Sequence, residues 1–189
     1  IPAAMFMMNA KAVLKSYAES GLDVNKVFTL TNEKLCEGND AGMFVTAWMG
    51  FLNTETGEVT FANAGHNPPL VRHADGSFEY LKVRAGFVLA GMEGVKYRKN
   101  ELQLAPGDVI YLYTDGVTEA TNINDELYGE DRLLALLNAN KEASMEELCK
   151  LVKEDVFVFA GEAPQFDDIT MLALKYCGAT APTNQEEAL

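Results

Sequence analysis

At 189 residues, with 48% hydrophobic and 23% charged side chains, the chain has the size and balance of a globular protein able to bury a sizeable core. Its formal net charge of −13 argues against nucleic acid as a partner, because phosphate contacts need Lys and Arg. Its two histidines, His66 and His73, exclude a His-rich zinc site in practice and leave carboxylates to carry any metal.

No run approaches the roughly 20 apolar residues of a membrane span. The start, Ile1-Pro2-Ala3-Ala4, has neither an initiator Met nor a basic secretory n-region and reads as a piece of something longer. Cys36, Cys149 and Cys177 lie far apart and form no metal-type pair, which predicts reduced thiols in a cytoplasmic setting.

Residues 2 to 19 read as a helix, with Pro2 at a first helical position and apolar residues near helical spacing. Within it the Met5-to-Met8 stretch is expected to act as adaptable core packing. Gly21 ends the helix, and Asp23 is placed to cap a second one whose contacts come from Val24, Val27, Phe28, Leu30 and Leu35.

From Met43 the period changes. Met43 to Leu52 is apolar almost throughout and fits a buried strand. A turn at Thr54–Gly57 leads into a second strand, Glu58 to Asn63. Leu70 to His73 and Ser77 to Leu81 flank Ala74-Asp75-Gly76 as a hairpin. Tyr97 to Leu104 alternates, and Ala105-Pro106-Gly107-Asp108 turns into a strand that starts at Val109. Helices follow at about Gly129 to Ala139 and Ser144 to Phe159, the latter opened by a Ser144/Glu147 capping box. Asp168 to Lys175 is the last strand, and Gly178 to Leu189 has the composition of a disordered polar tail. Runs of antiparallel strands with helices segregated before and after them predict an α+β domain, without internal repeats or a linker.

Two aspartate positions stand out. Asp115-Gly116 closes the run Val109 to Thr114, and Asp167-Asp168 opens the run ending at Leu174. Each Asp has a plain reading as a turn former or cap. Brought together, such strand tips would offer oxygen donors to a hard divalent cation. Between them in sequence lies Ala64-Gly65-His66-Asn67-Pro68-Pro69, where Gly65 lets the backbone turn and the prolines stiffen the exit.

Five segments, in order and spanning the chain to about Tyr176, resemble the SpoIIE/RsbU-type branch of the metal-dependent (PPM, type-2C-like) serine/threonine protein phosphatases. They are Pro2-Ala3-Ala4-Met5-Phe6-Met7, Met43-Phe44-Val45-Thr46, Ala64-Gly65-His66-Asn67-Pro68-Pro69, Thr114-Asp115-Gly116-Val117-Thr118-Glu119-Ala120 and Phe166-Asp167-Asp168-Ile169-Thr170. The resemblance implies a mostly antiparallel β-sandwich flanked by helices, occupying residues 1–177 as a partial phosphatase domain, with 178–189 as tail.

It further implies two Mn²⁺ or Mg²⁺ ions in the complete domain, with Asp115 and Asp167 as metal ligands and Asp168 beside them. Gly116, Gly65 and Asn67 would line the site. The implied reaction is in-line attack on phosphoserine or phosphothreonine by a water held between the ions, so no catalytic side chain is required. His66 is the one candidate proton-transfer group, against a structural role in its loop. The family's Asp-x-x-Gly-Lys-Gly stretch precedes the Pro-Ala-Ala helix and is not in this chain. An N-terminally truncated domain is therefore expected, with the resulting sheet edge either covered by a second copy of the chain in a homodimer or poorly ordered.

The implied partner is a phosphorylated protein of the anti-sigma-factor-antagonist type, and the implied setting is the output end of a bacterial signalling protein with an upstream sensory domain. The alternative is a phosphatase-fold regulatory or binding module with impaired catalysis.

Overall fold

The computed structural model describes residues 2–74, 76–165 and 167–179. These residues form two compact units that interleave along the chain, the first drawn from the described parts of 1–52, 59–68 and 82–102, the second from the described parts of 53–58, 69–81 and 103–189. Asp75, Phe166 and the expected tail from residue 180 onward lie outside the described residues.

In the first unit, α1 (Pro2–Glu19) packs along α2 (Val24–Cys36). Phe6, Ala10, Leu14 and Tyr17 recur at intervals of three or four, so they share one helix face and join Val24, Val27, Phe28 and Leu35 in a core. The methionines fall off that stripe. Met5 is 65%, Met7 55% and Met8 72% exposed, which corrects the expectation of core packing. Asp23 occupies the N-cap of α2, but its side chain makes no capping bond; it sits 3.8 Å from Lys26 instead.

The sheet of this unit has the order β1-β2-β5, with β1 at Ala47–Leu52, β2 at Glu58–Ala64 and β5 at Asn100–Gln103. Strands β1 and β2 are antiparallel, from Ala47 opposite Ala64 to Leu52 opposite Val59. Strand β1 is shorter than expected and only half-buried. The Asn39 side chain explains the late start: it accepts from Met43 N at 3.0 Å and donates to Met43 O at 2.7 Å, which takes both backbone groups from any ladder. Asn32, fully buried, accepts from Ala90 N and Tyr97 Oη and donates to Met92 O. It thereby holds Ala90 in the left-handed region at φ 64°.

In the second unit, β3 (Leu70–Arg72), β4 (Phe78–Tyr80), β6 (Val109–Tyr113) and β7 (Met171–Lys175) form an antiparallel sheet of order β4-β3-β6-β7. The hairpin read at Ala74–Gly76 joins β3 to β4, with Leu70 opposite Tyr80. Because side chains alternate, Val109, Tyr111 and Tyr113 present one face of β6. That face joins a core with Leu133 and Leu137 of α4 (Glu130–Ala139) and Leu148, Val152 and Val156 of α5 (Met145–Ala160). Fully burying each such side chain contributes about 1.5–3 kcal/mol.

Helix α5 opens with the expected capping box: Ser144 Oγ accepts from Glu147 N at 3.2 Å, and Glu147 Oε2 accepts from Ser144 N at 2.9 Å. Arg132 reaches from α4 to Asp155 on α5 through two hydrogen bonds of 2.8 Å. Both outer strands begin later than the sequence suggests, β5 at Asn100 rather than Tyr97 and β7 at Met171 rather than Asp168. Among the described residues, no helix is long and apolar enough to cross a membrane.

Candidate metal centre

The end of β6 and the approach to β7 form the site. The ladder pairs Tyr113 with Met171; continuing that register by three residues brings Gly116 opposite Asp168. The ladder itself stops, and Thr114 takes over. Its N–H donates to Thr170 O at 3.0 Å, its hydroxyl donates to Asp168 O at 2.9 Å, and the same hydroxyl accepts from Thr170 N at 3.0 Å. One side chain thus clamps the segment leading into Asp115 against the segment leading out of Asp168.

Immediately beyond, the chain enters the one-turn helix α3 (Asp115–Thr118). Gly116 is buried and packs directly on the backbone of the other aspartate pair: a Cβ there would strike Asp168 O and lie 3.3 Å from Asp167 C. Such a contact is with backbone, so no rotamer relieves it, and only Gly permits it. The structure therefore brings the Asp115-Gly116 and Asp167-Asp168 backbones together.

The carboxylates are held locally. Asp115 Oδ1 accepts from Gly116 N at 3.0 Å, and Asp167 Oδ1 accepts from Asp168 N at 2.6 Å. Among the described residues, the second oxygen of each and the whole Asp168 carboxylate accept no further hydrogen bond. Asp115 is half-buried, whereas Asp167 and Asp168 are exposed. Carboxylate oxygens with unused lone pairs fit Mg²⁺ or Mn²⁺ in kind. In number they fall short: among the described residues no three His, Cys, Asp or Glu side chains assemble as a metal-holding group. Gly116 and Asp167 also line a cavity of about 190 Å³, whose apolar wall comes from Val156, Phe157, Ala160 and Ile169.

The remaining sequence candidates belong to the first unit. Gly65 adopts φ 69°, and the Asn63 side chain clamps the following residue, accepting from His66 N at 2.8 Å and donating to His66 O at 2.9 Å. His66 Nδ1 lies 3.3 Å from Thr46 Oγ1. These bonds hold the loop at Gly65 and His66 within that unit, and Asn67 beside them is half-buried. Thr114 was not singled out from the sequence, yet it does most of the joining. Its signal was a hydroxyl residue at the last position of an apolar strand, directly before Asp-Gly.

Known proteins resemble the chain over most of its length. The family described as Stage II sporulation protein E (SpoIIE) matches residues 1–176. Protein IcfG of Synechocystis sp. is 34% identical over 146 residues, 77% of this chain and 23% of that protein. Phosphoserine phosphatase RsbU of Bacillus subtilis is 30% identical over 176 residues, 93% of this chain and 52% of RsbU. The chain thus spans between about a quarter and about half the length of these curated relatives. Among solved structures, the SiaA-PP2C domain of Pseudomonas aeruginosa superposes with a TM-score of 0.78 at 24% identity, covering 93% of this chain and 69% of that one. The catalytic domain of serine threonine protein phosphatase PstP, in complex with two manganese ions, gives 0.61 at 13% identity, covering 90% and 80%. At such identities the structural likeness speaks for the fold.

Proposed function

The chain belongs to the Stage II sporulation protein E (SpoIIE) family, and from that premise we propose that it is the phosphatase portion of a signalling protein, hydrolysing phosphoserine or phosphothreonine on a protein substrate. The observation that carries the reading is the packing of Gly116 on Asp167-Asp168, which sets aspartates from the ends of two neighbouring strands at one edge of one sheet.

In this reading Asp115, Asp167 and Asp168 hold divalent cations, Mn²⁺ or Mg²⁺, together with ligands outside the described set. When bound, such ions supply Lewis-acid polarisation of the phosphoryl oxygens and a more acidic water. The protein's own part is positional. Thr114 fixes the two segments against each other, and Gly116 allows the close approach. Gly65 and Asn67 enter as lining residues on the sequence resemblance alone. The substrate proposed is a phosphorylated anti-sigma-factor antagonist, with a sensory domain and a second copy of the chain as further partners.

The test is Mn²⁺ titration of the chain followed by NMR, paired with phosphate release from a phosphoserine protein. Sub-stoichiometric Mn²⁺ should broaden the Asp115, Gly116, Asp167 and Asp168 amide signals first, and Asp115→Asn with Asp167→Asn should remove that effect. Chelator should abolish phosphate release. Selective broadening without turnover would favour the impaired regulatory module, and broadening elsewhere would overturn the site.

A further inference from the structure

The first unit carries a second cleft, of opposite charge, that the phosphatase reading does not use. It is a cavity of about 180 Å³ lined by Asn63, Arg84, Gly86, Lys96, Arg98 and Asn100. We propose that this cleft binds an acidic, extended segment of a protein ligand.

Three observations carry the proposal. First, the chain folds so as to collect cations here. Gly86 N donates to Asn63 O at 2.8 Å, which seats the Arg84–Gly86 segment beside β2. On the stretch leading into β5, Tyr97 points inward, 5% exposed, with its hydroxyl donating to Asn32 Oδ1 and Val88 O. In extended backbone the neighbours of an inward residue face outward, so Lys96 and Arg98 share the cleft side with Asn100.

Second, these cations are unused. None of the ion pairs formed among the described residues involves Arg84, Lys96 or Arg98, so all three charges of the cleft are left without a carboxylate partner. Third, the surroundings make the cluster conspicuous. The chain has 28 Asp and Glu against 15 Lys and Arg. Three convergent cations form a local attractive spot on a protein that otherwise repels anions, which favours a specific docking register over general attraction.

The architecture selects a peptide over a free ion. Arg84, Lys96 and Arg98 are all exposed, and the buried polar residue of the lining, Asn63, spends its side-chain donor on His66 O, so no buried donor encloses a small oxyanion among the described lining residues. Lys96 and Arg98 repeat at two-residue spacing, about 7 Å apart along an extended chain, which matches acidic side chains at alternate positions of an extended partner. Arg guanidinium groups add forked, two-point recognition of carboxylates.

The experiment uses the chain without metal, so its outcome is independent of the phosphatase reading. An acetylated Glu-Gly-Glu-Gly-Glu peptide and inorganic phosphate are titrated separately while the amide signals of residues 84–86 and 96–100 are followed. The peptide should shift these signals saturably, and binding should weaken about tenfold in Arg84→Ala/Arg98→Ala. It should also weaken when salt is raised from about 0.05 to about 0.3 M, because screening shortens the reach of exposed charges. A control variant, Lys15→Ala/Lys150→Ala, removes the same charge elsewhere and should bind as the parent does. The proposal is overturned if the peptide leaves these signals unmoved, if the control loses as much affinity as the cleft variant, or if phosphate saturates the cleft while the peptide does not.

Discussion

The hydroxyl of Thr114 donates to the carbonyl of Asp168 at 2.9 Å, tying the residue before one candidate ligand to the backbone of another. With the bond it accepts from Thr170 N, this hydroxyl replaces two rungs of the β6–β7 ladder where the strands part. Thr114→Val keeps the shape and removes both bonds. It should cost about 1–2 kcal/mol in urea unfolding and weaken Mn²⁺ binding, whereas Thr114→Ser should stay near the parent in both.

Gly116→Ala tests the close approach directly. The added methyl meets the Asp168 carbonyl, so the strand tips must separate. A destabilisation of about 1–3 kcal/mol is expected, as for an overpacked core site. Hydrogen exchange at Thr114 and Thr170 amides should accelerate with it, while exchange at Ile110, near the opposite end of β6, should follow only the global change.

The Arg132–Asp155 pair gives the second unit an acid-sensitive contact. Hydrogen bonding from Arg132 is the main influence holding the Asp155 carboxyl below its usual range; burial opposes it, and the Tyr128 hydroxyl helps. A depressed carboxylate stabilises the fold above the unfolded-state pKa, near 3.9, and that stabilisation is lost as pH falls through the lower folded value. Arg132→Ala should therefore lower stability at neutral pH by on the order of 1 kcal/mol, a modest figure because the pair is partly exposed. The difference from the parent should shrink as pH falls below about 4. A pH-independent difference in urea midpoints would assign the loss to the stacking of Arg132 on Tyr128 and Phe159 instead.

In the first unit, Asn32→Leu should cost on the order of 3 kcal/mol, since it strands the buried Ala90 N–H and the Met92 carbonyl. Ala90→Gly should partly offset that loss, because a left-handed backbone costs a non-Gly residue about 1–2 kcal/mol. Chemical unfolding of the single and double variants checks both signs.

The β3–β4 hairpin and the Ser144/Glu147 box were legible in the sequence because each rests on bonds between residues close along the chain. The α+β arrangement was legible from the order of strand-like and helix-like runs, although its β3–β6 and β6–β7 pairings join residues far apart in sequence. The Met5–Met8 reading failed on phase. Helical periodicity shows that a stripe exists, but Phe6, Ala10 and Leu14 fit it as a set and the methionines do not; only the α2 partner reveals which set is buried. Strand starts were misplaced where a side chain captured backbone groups, as Asn39 does at Met43. At the candidate centre the aspartates could be picked out from strand-tip placement and resemblance. The Thr114 clamp could not, since its partners Asp168 and Thr170 lie 54 and 56 residues away.

The interleaving of the two units has a consequence for synthesis. The chain passes between them at 52/53, 58/59, 68/69, 81/82 and 102/103. The first unit cannot close until residue 102 has left the ribosome, and by then two pieces of the second have been released without the strands and helices that complete them. At roughly 5–20 residues per second, those pieces wait several seconds for β6, α4 and α5. Neither unit can be cut out as a continuous segment, and a nascent chain stalled before residue 102 would expose the unfinished cores of both.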